Sequence, residues 1–104
     1  MHCGVRNVKR LRSVFVEDMD HCMFTGKAPV ERHHIFSHTH EERMLCEKYG
    51  FIAPLSPELH PNGVHAGKQA KEVDTKLKQM AQEYFESHYG TREDFIKLFF
   101  KSNL

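Results

Sequence analysis

Apolar positions change their period along this chain, and the changes mark out its elements. Ala66, Ala70, Val73, Leu77, Met80 and Tyr84 recur at spacings of four, three, four, three and four, with Ala81, Phe85 and His88 widening the stripe. One face of a helix has that spacing, so it predicts a long helix over 67–89, stopped at Gly90. Thr91-Arg92-Glu93-Asp94 reads as a capping box. It opens a last helix that runs to about Phe100 through Phe95, Ile96, Leu98 and Phe99. Both helices read as scaffold, with the methionine and aromatic stripe as core.

Upstream the runs are shorter. Residues 14–24 hold two apolar pieces around a polar turn at 17–20, and Thr25-Gly26-Lys27 is a further turn signal. Val30–Phe36 reads as a strand with His33-His34 in its middle, and the two apolar pieces flanking the Thr-Gly turn are expected to pair as a β-hairpin. The polar stretch 37–49 predicts a short helix over 41–48, closed by Gly50. Phe51-Ile52-Ala53-Pro54-Leu55 reads as extended, kept at a sheet edge by Pro54. Ser56 and Pro57 fit the N-cap and first position of a turn of helix, which Pro61-Asn62-Gly63 breaks. No repeat or linker divides the chain. The fold class is therefore α+β.

Composition narrows the picture. A chain of 104 residues buries about 65% of its unfolded surface, enough for one core. At 39% hydrophobic and 28% charged it reads as globular and too apolar for disorder. No apolar run reaches the length of a membrane helix, so no membrane partner is expected. The first ten residues lack the apolar stretch of a secretory signal. Three cysteines, Cys3, Cys22 and Cys46, speak against a disulfide scaffold and fit a reducing cytoplasm. The net charge of +1 is uninformative, but its distribution is not. Arg6, Lys9, Arg10 and Arg12 form a basic N-terminal arm over 1–12, either a solvated tail or a set of phosphate contacts.

Histidine is the unusual residue: there are nine, and seven lie between His21 and His65. Imidazole is the commonest protein ligand for transition metals and titrates near neutrality. Neighbours on a strand point to opposite faces, so His33 and His34 suit two different tasks, one holding a metal and the other facing a substrate phosphate. His60 and His65 flank the Pro-Asn-Gly turn and can converge on one ion. Three imidazoles leave positions for water and substrate, the catalytic pattern.

Glu31-Arg32-His33-His34-Ile35-Phe36, followed by Pro54-Leu55-Ser56-Pro57-Glu58-Leu59-His60 and Gly63-Val64-His65, resembles the HNH endonucleases, the ββα-metal or His-Me finger group. It is most similar to small phage-encoded members, the recombination-enhancement nucleases. Glu47-Lys48-Tyr49-Gly50-Phe51 and the tail from Ala81 to Phe95 carry the likeness over residues 13–104. The resemblance implies a ββα-metal core (a short β-hairpin plus a helix), followed by the long C-terminal helix and the final short one, with 13–104 as the nuclease domain. It implies metal-dependent DNA hydrolysis, with His34 as general base and one divalent ion, Mg²⁺, Mn²⁺, Ni²⁺ or Zn²⁺, on His33, His60 and His65. A backbone carbonyl is expected to orient His34. Arg32, Arg43 and the arm residues Arg6, Lys9, Arg10 and Arg12 become phosphate contacts. DNA is the implied partner, with a recombination or packaging protein as an open second one. The implied location is the bacterial host cytoplasm, in a phage- or prophage-encoded protein.

Two departures from the family pattern stand out. The paired Cys-x-x-Cys knuckles of many members correspond to Cys22-Met23-Phe24-Thr25 and Ser56-Pro57-Glu58-Leu59, so no structural zinc is expected. Apolar packing of Phe24 and Leu59 is expected instead. The middle asparagine of the family name is missing. An alternative reading is therefore a catalytically inactive HNH-like nucleic-acid-binding module. His38 and His40 read as solvated, His21 and His88 as surface, and Cys46 as core. Glu31 shares a strand face with His33 and is either a partner in the site or an exposed carboxylate.

Overall fold

The computed structural model describes residues 11–61 and 66–104. The first helix, α1 (His40–Tyr49), forms where its ends are satisfied. The Thr39 hydroxyl accepts from the Glu42 N–H, and the Glu42 carboxylate accepts from the His38 N–H at 2.9 Å. One orphan donor of the first turn, the Glu42 N–H, is thereby met, and so is the N–H of His38 just before the cap. At the other end Gly50 adopts φ 78° and its N–H returns to the Cys46 carbonyl, the left-handed stop that glycine permits. The Arg12 guanidinium donates to the Glu47 and Lys48 carbonyls at 3.1 Å, which completes the cap.

α1 separates the two strands of the sheet. β1 (Glu31–His34) pairs antiparallel with β2 (Ile52–Leu55), placing His33 opposite Ala53 and His34 opposite Ile52. This corrects the expected hairpin, in which residues 14–24 were the partner of the histidine strand. In that stretch short polar side chains serve their own backbone instead: Ser13 accepts from the Phe15 N–H and Asp18 from the Asp20 N–H. Such local bonds compete with a ladder. Residues 22–27 close on themselves through Cys22 N–H to Lys27 O and Gly26 N–H to Cys22 O, both 2.8 Å. The segment leans on the sheet through the bond from Met23 N–H to Pro54 O and through the Arg32 side chain, which reaches Met19 O and Asp20.

Past β2, Pro57–Leu59 makes a turn of 3₁₀-helix behind Ser56. The long helix, α2 (Ala70–His88), starts later than its periodicity predicts, because the Gly67 N–H bonds to the Glu58 carbonyl and holds that end onto the 3₁₀ turn. The final helix, α3 (Arg92–Phe99), begins with the expected capping box between Thr91 and Asp94. The antiparallel strand pair followed by the 3₁₀ turn and α2 is compatible with a ββα layout within this α+β fold.

The core lies where the predicted stripe meets the sheet. Leu77, Ala81 and Phe85 from α2, Phe95 and Phe99 from α3, and Ile35, Phe36, Phe51, Ile52 and Leu55 from the sheet region bury together. Phe99 lies 4.5 Å from Phe36 and 4.8 Å from Phe95, ring centre to ring centre, within the range where aromatic pairs attract. Gln82 is fully buried among them and anchors the C-terminal tail. It donates to the Ser102 hydroxyl and accepts from the Asn103 N–H. Between α3 and that anchor, Phe100 sits at φ 77°, a left-handed conformation that costs an aromatic residue about 1–2 kcal/mol.

Candidate functional site

β1 places Glu31 and His33 toward the 3₁₀ turn and α2. His33 is only 4% exposed, and its ring centre lies 4.7 Å from that of His60, at 72°. The Nε2 of His33 is buried and has no hydrogen-bond partner among the described residues. Its nearest carboxylate, Asp74 Oδ1 on α2, is 4.0 Å away, too far for a hydrogen bond. Burial, reinforced by His60, His34 and Lys78, pushes the His33 pKa down to about 3. The contact with Asp74 is therefore between a carboxylate and a neutral imidazole, not an ion pair. Lys78 takes the other Asp74 oxygen at 3.0 Å. His60 closes the 3₁₀ turn with Nδ1 at 3.7 Å from Glu31 Oε1. Glu31 is near His60 and exposed at once.

His34 is a neighbour in sequence but not in its contacts. Its Nε2 lies 3.0 Å from Glu47 Oε2 on α1, with both side chains largely buried. The expected backbone carbonyl is thus replaced by a carboxylate. His65 lies outside the described residues, as do Arg6, Lys9 and Arg10. Among the described residues no group of three or more His, Cys, Asp or Glu side chains could hold a metal ion by itself. His33 and His60 are brought together; the placement of His65 beside them is not described.

The positions matched to the zinc knuckles meet in space. The Ser56 hydroxyl donates to the Cys22 thiol at 3.5 Å, both residues buried. Burial raises the Cys22 pKa, but hydrogen bonds from Thr25 and Ser56 outweigh it and bring it down to about 7. Leu59 joins the core as expected, whereas Phe24 stays 38% exposed with Lys76 over its ring, so it does not fill the knuckle. Polar contacts take that role.

Compared with known proteins, the chain matches no family model, no curated protein and no solved structure.

The described arginines are all engaged by the protein. Arg12 caps α1, Arg32 binds the Met19 carbonyl and Asp20, and Arg43 donates to the Ser37 carbonyl. Arg12 therefore belongs to the packed domain rather than to a free arm. Among the remaining histidines, His38 and His40 are exposed, His21 pairs with Asp18, and His88 stacks on Tyr84 at 4.0 Å. Cys46 is fully buried, its thiol exchanging contacts with the Phe36 backbone, and burial pushes its pKa up to about 12.

Three site neighbours escape the sequence reading: Glu47, Asp74 and Lys78. The long helix is more than scaffold, since Asp74 and Lys78 face the site from it. Their signal in the sequence is an acidic and a basic residue four apart, flanking the apolar positions Val73 and Leu77. The arrangement can present a buried, neutral imidazole lone pair beside a second imidazole, with Asp74 on the same side as that lone pair and Glu31 near the second ring. That is the donor set of a borderline-soft divalent metal.

Proposed function

We propose that this protein is a metal-dependent DNA endonuclease of the HNH type, with its sheet, 3₁₀ turn and α2 forming a ββα-metal core. The observation that carries the reading is the buried, unpartnered Nε2 of His33 beside His60. A buried imidazole nitrogen without a partner is costly, and a metal ion is the partner that the neutral ring and the neighbouring His60 both fit. His33 and His60 would hold the ion, joined by His65; Glu31 stands near His60 Nδ1, and Asp74 stands on the Nε2 side of His33, where it would border the ion itself. A divalent ion bound there would supply neutralisation of the charge that grows on the scissile phosphate.

The chain's own residues do the rest. For His34 to act as the base it would donate its Nε2–H to Glu47 Oε2, 3.0 Å away, which leaves the lone pair on Nδ1. That nitrogen takes a proton from the attacking water. Burial keeps His33 unprotonated at neutral pH, so its lone pair stays available. The meeting of Cys22 and Ser56 supports the likeness too, because two segments 34 residues apart converge where the family pattern has its knuckles. The protein would work on DNA in a bacterial host cytoplasm, with or without a recombination or packaging partner.

Purified protein incubated with supercoiled plasmid under EDTA, Mg²⁺, Mn²⁺, Ni²⁺ or Zn²⁺ tests this. Metal-dependent nicking is expected, falling about 10²–10⁴-fold in His34→Ala. Cleavage that persists in EDTA or in His34→Ala would sink the assignment. The second reading, a binding module without turnover, draws on one observation: His34 Nε2 is already spent on Glu47. It predicts a gel shift with no nicking under any ion.

A further inference from the structure

Phe100 is the most exposed large apolar residue among those described, at 65%. It is not at a frayed end. α3 fixes the chain before it, and the Gln82 bonds to Ser102 and Asn103 fix the chain after it. The backbone between the two anchors takes the left-handed turn at Phe100 itself. An aromatic side chain held out by two anchors, at a position where glycine would be easier, is a feature to be explained by what it touches.

It lines an open cavity of about 710 Å³ between α2, the end of β1 and the tail. The size suits a nucleotide-scale ligand. Lys78 and Lys101 lie on its wall, and so do two carboxylates, Glu42 and Asp74. Both carboxylates are already engaged, Glu42 by the His38 N–H and Asp74 by Lys78. Lys101 is exposed and supplies the cation at the mouth. Asp74 also stands 4.0 Å from His33, so one residue of the cavity wall borders the candidate site.

We infer that this cavity is a nucleobase-binding site, in which an unpaired base of a nucleic-acid strand stacks on Phe100 while Lys101 contacts the strand's phosphate. The inference deepens the nuclease reading and rests on its nucleic-acid substrate. An aromatic platform beside cations is how single strands are held without sequence readout, each stacked base adding strongly to affinity. A paired base would not reach the ring; an unpaired or displaced one would. The occupant is a nucleic acid rather than a protein side chain because the exposed Lys101 stands beside the aromatic ring and Asp74 on the same wall borders the candidate site.

The test is fluorescence anisotropy in EDTA, so that no cleavage is involved. The probes are a labelled short oligothymidylate and an abasic strand of equal length and charge. The wild-type protein is expected to bind the ordinary strand about tenfold tighter than the abasic one. Phe100→Gly should erase that ratio while leaving the melting temperature unchanged or higher, because glycine suits the backbone there. Phe100→Tyr should keep the ratio, and Lys101→Ala should weaken both strands alike. Phe100→Asn, which also tolerates a left-handed backbone, repeats the comparison should the glycine variant not fold. An unchanged ratio in both Phe100 variants, no binding of either strand, or an effect only on self-association in light scattering would each overturn the inference. Plasmid nicking is read separately: base-dependent binding without nicking leaves this site standing and removes the nuclease, and nicking without base dependence does the reverse.

Discussion

His33 joins burial, charge and pH in one side chain. Its pKa is pushed from 6.5 down to about 3 in the folded protein, first by burial and then by His60, His34 and Lys78. Between those values the unfolded chain binds a proton that the folded one does not. Stability is therefore complete above pH 6.5 and falls as pH drops toward 3, by up to about 1.4 kcal/mol per unit. His33→Gln should flatten this slope in thermal melts over that window; a slope identical to the wild type would show that His33 does not carry it. The carboxylates of Asp94, bonded by the Thr91 N–H and hydroxyl, and of Glu86, bonded by Arg92 and Gln82, are held below their usual range. They too favour the fold less in acid, so the comparison of variant with wild type isolates the imidazole.

At the scale of elements, glycines mark where turns are built. Gly50 and Gly26 share the left-handed backbone, at φ 78° and 74°, but differ in surroundings. A Cβ at Gly50 would lie 2.7 Å from the Val14 side chain and 3.3 Å from its backbone nitrogen, whereas one at Gly26 meets nothing within 4 Å. Gly26→Ala should cost about 1 kcal/mol in urea unfolding and Gly50→Ala clearly more. Equal costs would mean that Val14 yields freely. The helices were legible because their ends are written locally: Thr91 with Asp94, Gly50 after Tyr49, and the apolar spacing of α2. The strand pairing was not. β2 is buried at every position, so it lacks the alternation that identifies a half-exposed strand, and nothing local says that its partner lies beyond a helix. Of the site, the His33 and His60 meeting was legible from the histidine pattern. Glu47, Asp74 and Lys78 were not, since charged helix positions read as solvated until tertiary contacts place them.

For the whole molecule, the ion proposed at the paired imidazoles would link metal to fold. An ion that binds only the folded chain adds about 2.7 kcal/mol of stability at a hundred times its dissociation constant. Zn²⁺ or Ni²⁺ should raise the melting temperature, and His33→Ala or His60→Ala should remove the rise; a rise untouched by either variant would move the ion elsewhere. No described helix is long and apolar enough to cross a membrane. The architecture also has a latch. Ser102 and Asn103 satisfy Gln82, which has no exposure to water and sits in the middle of the longest helix. Lys101, just before them, is exposed and is a cleavage point for trypsin-like proteases. A single cut there would detach Ser102 and Asn103 and leave a buried amide with two of its bonds missing, a loss of about 1–3 kcal/mol for each unsatisfied group. Protein clipped at Lys101 would melt earlier and would no longer hold Phe100 from both sides.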